Sequence, residues 1–97
     1  MNEYNPEDYP HPGKALLTEL EDLGFSQAGF ARYVGVSTED IVELCSQSCS
    51  LSATLACKIS RALGTTPRQW LELQLNYDLA RVPKDDYEQI KPLGSDT

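Results

Sequence analysis

The stretch "VGVSTEDIVELCSQSCS", Val34–Ser50, decides the reading of this chain. Gly35 supplies a tight turn and Ser37 can cap a new helix. From there Ile41, Leu44 and Cys45 share one side at helical spacing, while Thr38, Glu39 and Glu43 share the other. This is the pattern of the turn and second helix of a helix-turn-helix, whose outward side meets a DNA groove. That side carries Glu39 and Glu43, Asp40 adjoins them, and the whole stretch holds neither Lys nor Arg. Geometry and charge point in different directions.

Outward from this stretch, turn signals divide the chain into five helices. The first spans Pro12 to Leu23, opening with a proline tolerated in a first turn and stopping at Gly24. Leu16, Leu20 and Leu23 are expected on its inner face. Ser26 caps the second helix, which runs to Val34 with Phe30, Ala31 and Val34 inward. The third helix runs from Ser37 to Cys45, and "SQSCS" after it is polar and reads as a loop. Ser52 caps the fourth, with Leu55, Ile59 and Leu63 recurring until Gly64 ends it. Thr66, Pro67 and Gln69 form a capping box and first turn for the fifth, which Pro83 ends. "KDDYEQIKPLGSDT" is a polar tail. The expectation is an all-α fold: an N-terminal tail 1–11, a five-helix helix-turn-helix domain 12–82, and a C-terminal tail 83–97.

Ninety-seven residues, 40% hydrophobic and 24% charged, fit one small domain. No apolar run approaches the roughly 18 residues needed to span a bilayer. The start "MNEYNPEDYPHPG" lacks the basic and apolar regions of a signal peptide. A soluble, cytoplasmic protein is expected. The net charge of -7 argues against nucleic-acid binding if taken whole. Residues 1–25 hold six acids against Lys14, and residues 64–97 hold six against four bases. Residues 26–63 balance three acids with Arg32, Lys58 and Arg61, so a weak local electrostatic footprint survives in the helix-turn-helix.

"HPG" before the first helix, "LGFSQAGFARYVGVS" through the turn and "ISRALGTTPRQWLELQLNYDL" at the end resemble the HigA-type antitoxins of the Xre/Cro-like helix-turn-helix superfamily. The resemblance implies a five-helix domain, a homodimer joined partly through the last helix, repression of an operator, and neutralisation of a RelE-like mRNA-cleaving toxin. Where that family commonly has an Arg- or Gln-rich start to helix 3 and an "NGKR"-like turn after it, this chain reads "STED" and "SQSC". Gly29 stands where a Glu or Gln is common, so the reciprocal cap with Ser26 is lost.

Each candidate residue has a structural reading beside its functional one. Glu39 and Asp40 stabilise the positive end of a helix in its first turn, while Glu39 or Glu43 can also accept a hydrogen bond from a cytosine amino group. Uncompensated acids near phosphates oppose the main source of non-specific affinity. Gln27 can donate to a phosphate beside the backbone at the start of helix 2. Ser37, Thr38, Ser46, Gln47 and Ser48 complete the expected DNA-facing set, and Lys58 and Arg61 read as solvated surface. Trp70, Leu71, Leu73 and Leu75, with Tyr77 and Leu79, give helix 5 more apolar surface than one domain face needs, which points to a dimer interface; for Trp70 core packing is the alternative.

Cys45, Cys49 and Cys57 form no metal-ligand pattern, since the single histidine, His11, is far away in sequence. Cys57 is expected in the core, Cys45 at the end of helix 3, and Cys49 as a loop thiol. No cofactor and no metal are expected. There is no phosphate loop and no nucleophile with a base, so the chain does not read as an enzyme. The function expected is a DNA-binding repressor; the alternative is a non-enzymatic protein-binding module that keeps the fold and has lost the DNA.

Overall fold

The computed structural model describes residues 8–94, and its fold is all-α. Five helices follow in order: α1 Pro12–Leu23, α2 Gln27–Val34, α3 Thr38–Cys45, α4 Ala53–Leu63 and α5 Pro67–Ala80, with a short 3-10 turn at Lys84–Asp86. The capping chemistry explains the boundaries. Ser26, Ser37, Ser52 and Thr66 each accept a hydrogen bond from the backbone N–H three residues on, satisfying one of the donors a helix start leaves open. At Thr66 the bond is reciprocal, because the Gln69 side chain accepts from the Thr66 N–H at 2.9 Å. Gly29 offers only its backbone to Ser26, so α2 has the one-sided cap expected.

The core is a single cluster. Leu16 and Leu20 of α1, Phe30 and Ala31 of α2, Ile41, Leu44 and Cys45 of α3, Leu51, Ala56 and Ile59 around α4, and Trp70 of α5 are all buried. Four expectations require correction. Leu23, the last residue of α1, lies beyond the core's edge and is 56% exposed. Cys57 is exposed, because the inner stripe of α4 is Ala56, Ile59 and Ser60, and position 57 turns away from it. Helix α5 stops at Ala80 with Arg81 as its cap, short of Pro83. His11 belongs to the folded unit and not to a tail: it is buried, and its Nδ1 accepts from the Gly13 N–H at 2.9 Å as the cap of α1.

Gly13 shows why α1 begins where it does. A methyl group built at its Cα would meet the Leu44 carbonyl carbon at 2.6 Å, with the carbonyl oxygen closer still. Only hydrogen fits between the first turn of α1 and the last turn of α3.

Candidate nucleic-acid interface

Helices α2 and α3 are joined by Gly35, whose φ of 79° turns the chain so sharply that Ser37 caps α3 two residues later. Burial of Phe30 and Ala31 on α2 and of Ile41, Leu44 and Cys45 on α3 fixes the two helices on the core. What remains outward is one polar surface: Ser37, Thr38, Glu39, Asp40 and Glu43, followed by Ser46, Gln47 and Ser48, all exposed. Gln27 is half-buried at the start of α2. Ser37 is already occupied as a cap, its Oγ 3.1 Å from the Asp40 N–H. Glu39 and Asp40 sit in the first turn of α3, where a carboxylate is favoured by roughly 0.3–1 kcal/mol.

The loop after α3 is built by its own serines. Ser46 Oγ donates to the Glu43 carbonyl at 3.1 Å and lies 2.7 Å from Ser48 Oγ. The N–H groups of Gln47 and Ser48 return to the carbonyls of Leu44 and Glu43, both at 2.9 Å. This closure places Gln47 in the left-handed region, with φ 65°, a conformation that glycine adopts without cost. The polar run predicts a loop, and the structure adds that Gln47 is the residue that turns it.

Positive charge reaches this surface from α4. Lys58 lines the cleft between α3 and α4 together with Asp40, Ser52 and Thr54. With Arg61 and Tyr33 it also lines a second groove, between α2 and α4. Lys58 is exposed, as a solvated surface residue is expected to be, and it stands across a cleft from the first turn of α3. Cys49 also borders that cleft, and burial, then the nearby Glu43 and Asp40, push its thiol above the usual range. It stays protonated and is a poor nucleophile at neutral pH. Burial pushes Cys45 up as well. Among the described residues no group of three His, Cys, Asp or Glu is placed to hold a metal ion, and no helix is long and apolar enough to cross a membrane.

The apolar residues expected at a dimer interface separate in space. Trp70 is committed to the protomer's own core, 5% exposed, with its indole N–H donating to Thr65 Oγ1 at 2.7 Å; it is removed from the outward set because its ring fills the space under α5. Leu71 and Leu73 are half-buried against the core, whereas Leu75 and Leu79 are 54% and 41% exposed.

No family model matches the chain. Antitoxin HigA-1 of Vibrio cholerae is 33% identical over 85 residues, spanning 84% of this chain and 80% of the relative. The Pseudomonas aeruginosa antitoxin HigA, solved with the higBA promoter, superposes with a TM-score of 0.81 at 30% identity, covering 88% of this chain and 98% of that one. The chain belongs to the HigA-type antitoxins of the helix-turn-helix superfamily. A second P. aeruginosa protein, in complex with its 18-base-pair operator DNA, gives a TM-score of 0.79 at 30% identity, covering 87% of this chain and 96% of that one. A HigA-family antidote protein from Coxiella burnetii gives 0.81 at 28%, over 87% and 97%. In this chain α3 presents acids and hydroxyls, and Lys58 of α4 lines the cleft beside its first turn.

Proposed function

We propose that this chain is a transcriptional repressor that binds operator DNA as a homodimer, with α3 in the major groove, and acts in the cytoplasm without enzymatic activity. The observation that carries the reading is the exposed, capped α3 held against α2 by the Gly35 turn, in a family with members solved on promoter and operator DNA. Thr38, Glu39 and Glu43 face the bases. Gln27, Ser46, Gln47 and Ser48 serve as neutral donors to backbone or base. Ser37 contributes by fixing the start of α3.

Three acids on α3 lower the phosphate-driven part of the affinity, so binding is weak at physiological salt or confined to a narrow set of sequences. The exposed leucines of α5 support a homodimer, the names of the relatives, antitoxin and antidote, support a toxin as a further partner, and we take that toxin to be RelE-like. The protein-binding alternative draws on one observation, the absence of any Lys or Arg between Val34 and Ser50. Electrophoretic mobility shift of the fragment upstream of the gene, competed with unrelated DNA, decides between them. The proposal expects a shift at low salt that the upstream sequence competes better than random DNA. No shift at low salt transfers the case to the protein-binding reading. Co-purification with the product of the neighbouring open reading frame tests the toxin.

A further inference from the structure

The loop that leaves α3 is gripped from behind by two buried side chains from opposite ends of the chain. Gln74 of α5 is 7% exposed; its Oε1 accepts from the Leu51 N–H at 2.8 Å, and its Nε2 donates to Asp78 Oδ1 at 2.9 Å. The amide is thereby fixed in one orientation, since a flip would set N–H against N–H and oxygen against carboxylate. His11 is 3% exposed. Its Nδ1 is used by the Gly13 N–H, leaving Nε2 to carry the proton, and the ring hydrogen-bonds the backbone of Cys49. The Tyr77 ring packs edge-on against the imidazole at 4.8 Å, and the Arg81 guanidinium covers the Tyr77 ring at 3.6 Å.

Two residues of one loop, 49 and 51, are thus held from α5 and the start of α1. Leu51 itself is in the core, so its N–H has no water to fall back on and depends on Gln74. Just before this anchor lie the exposed Ser46–Ser48 edge, and just after it the first turn of α4 facing Asp40 across the cleft. The path of residues 49–51 therefore sets how far the start of α4 and Lys58 stand from α3.

We propose that Gln74, supported by His11, is a positioning residue for DNA binding: it touches no DNA, and it fixes the loop and the α3–α4 spacing that the duplex meets. This rests on the DNA-binding reading above. The test uses full-length protein and a labelled duplex of the upstream fragment, read by fluorescence anisotropy at low salt. Gln74→Glu keeps an oxygen for Leu51 but sets two carboxylates together where a donor met an acceptor. Adding Asp78→Asn restores a donor with the polarity reversed. The expected result is that Q74E binds about tenfold or more weakly, the scale of one broken charge-assisted bond, and that Q74E/D78N returns to within about threefold of wild type. Amide exchange at Leu51 should quicken in Q74E and slow again in the double variant.

If Q74E is unfolded at the assay temperature, the double variant carries the test and should be folded and binding-competent. Wild-type binding with equal affinity for Q74E overturns the inference alone, as does a loss that D78N fails to rescue. A wild type that shifts nothing sinks the DNA reading, and the positioning role with it.

Discussion

At the scale of single residues, three positions shape the interface, two from behind it and one, Gln47, on its edge. The first is Gly13, whose missing side chain lets α1 start against the Leu44 carbonyl. Gly13→Ala forces backbone to move, so a loss of about 2–3 kcal/mol or more is expected in urea denaturation; an unchanged midpoint would mean the two turns can separate freely. His11 is the second. Burial holds its imidazole below the ordinary value of 6.5, outweighing the Cys49 backbone and Asp78, which act the other way. The folded chain therefore binds the His11 proton more weakly than the unfolded chain does. Its contribution is complete above pH 6.5 and is lost as the pH falls through 6.5 toward the lower folded value. Denaturation at pH ~7.5 and ~5.5 should show a drop in stability that is smaller in His11→Asn, which keeps a capping oxygen but does not titrate. The third is Gln47, a non-glycine residue at φ 65°. Gln47→Gly should raise stability by about 0.5–1 kcal/mol, the left-handed penalty less the extra entropy of glycine; a destabilised variant would show that the Gln47 side chain makes a contact worth more than its strain.

At the scale of elements, α3 combines a stable start with an unfavourable charge. If Glu39 and Glu43 only stand near phosphates, replacing both by Gln removes repulsion while keeping shape and helix propensity. Affinity should then rise modestly for all sequences alike, with little change in the salt slope. A loss of roughly 1–3 kcal/mol confined to the cognate site would instead make one of these acids a cytosine reader. The five helices, and the caps of four of them, were legible in the sequence because caps are local: Ser26, Ser37, Ser52 and Thr66 act within three residues. The inner faces were less so. Leu23 and Cys57 carry the right hydrophobicity, but at the edge of the core or one position off the stripe that α4 buries. The support behind the candidate site was not legible at all. "HPG" and "LQLNYDL" carry part of the family resemblance, yet nothing local says that His11, Gln74, Tyr77 and Asp78 converge behind residues 49–51. The cleft that Lys58 shares with Asp40 is not legible for the same reason, since it exists only once α3 and α4 are packed.

At the scale of the whole molecule, an acidic chain of net charge -7 must place a compact polar face on a polyanion. The proposed arrangement does so by pairing: two weak faces, joined through the exposed leucines of α5, bind two half-sites together and gain from effective concentration what each lacks in charge. Leu75→Lys places a charge in that seam, 54% exposed in the protomer, and should shift sedimentation at micromolar concentration from dimer to monomer while leaving the helical signal intact. Monomer in both proteins would remove the seam from α5. The central claim, a dimeric helix-turn-helix repressor working through an acidic α3, is tested most directly by hydroxyl-radical footprinting of the upstream fragment at low salt. The account predicts two protected patches related by a two-fold axis and centred one helical turn apart, about 34 Å. A fragment left unprotected, or one protected evenly along its length, would contradict it.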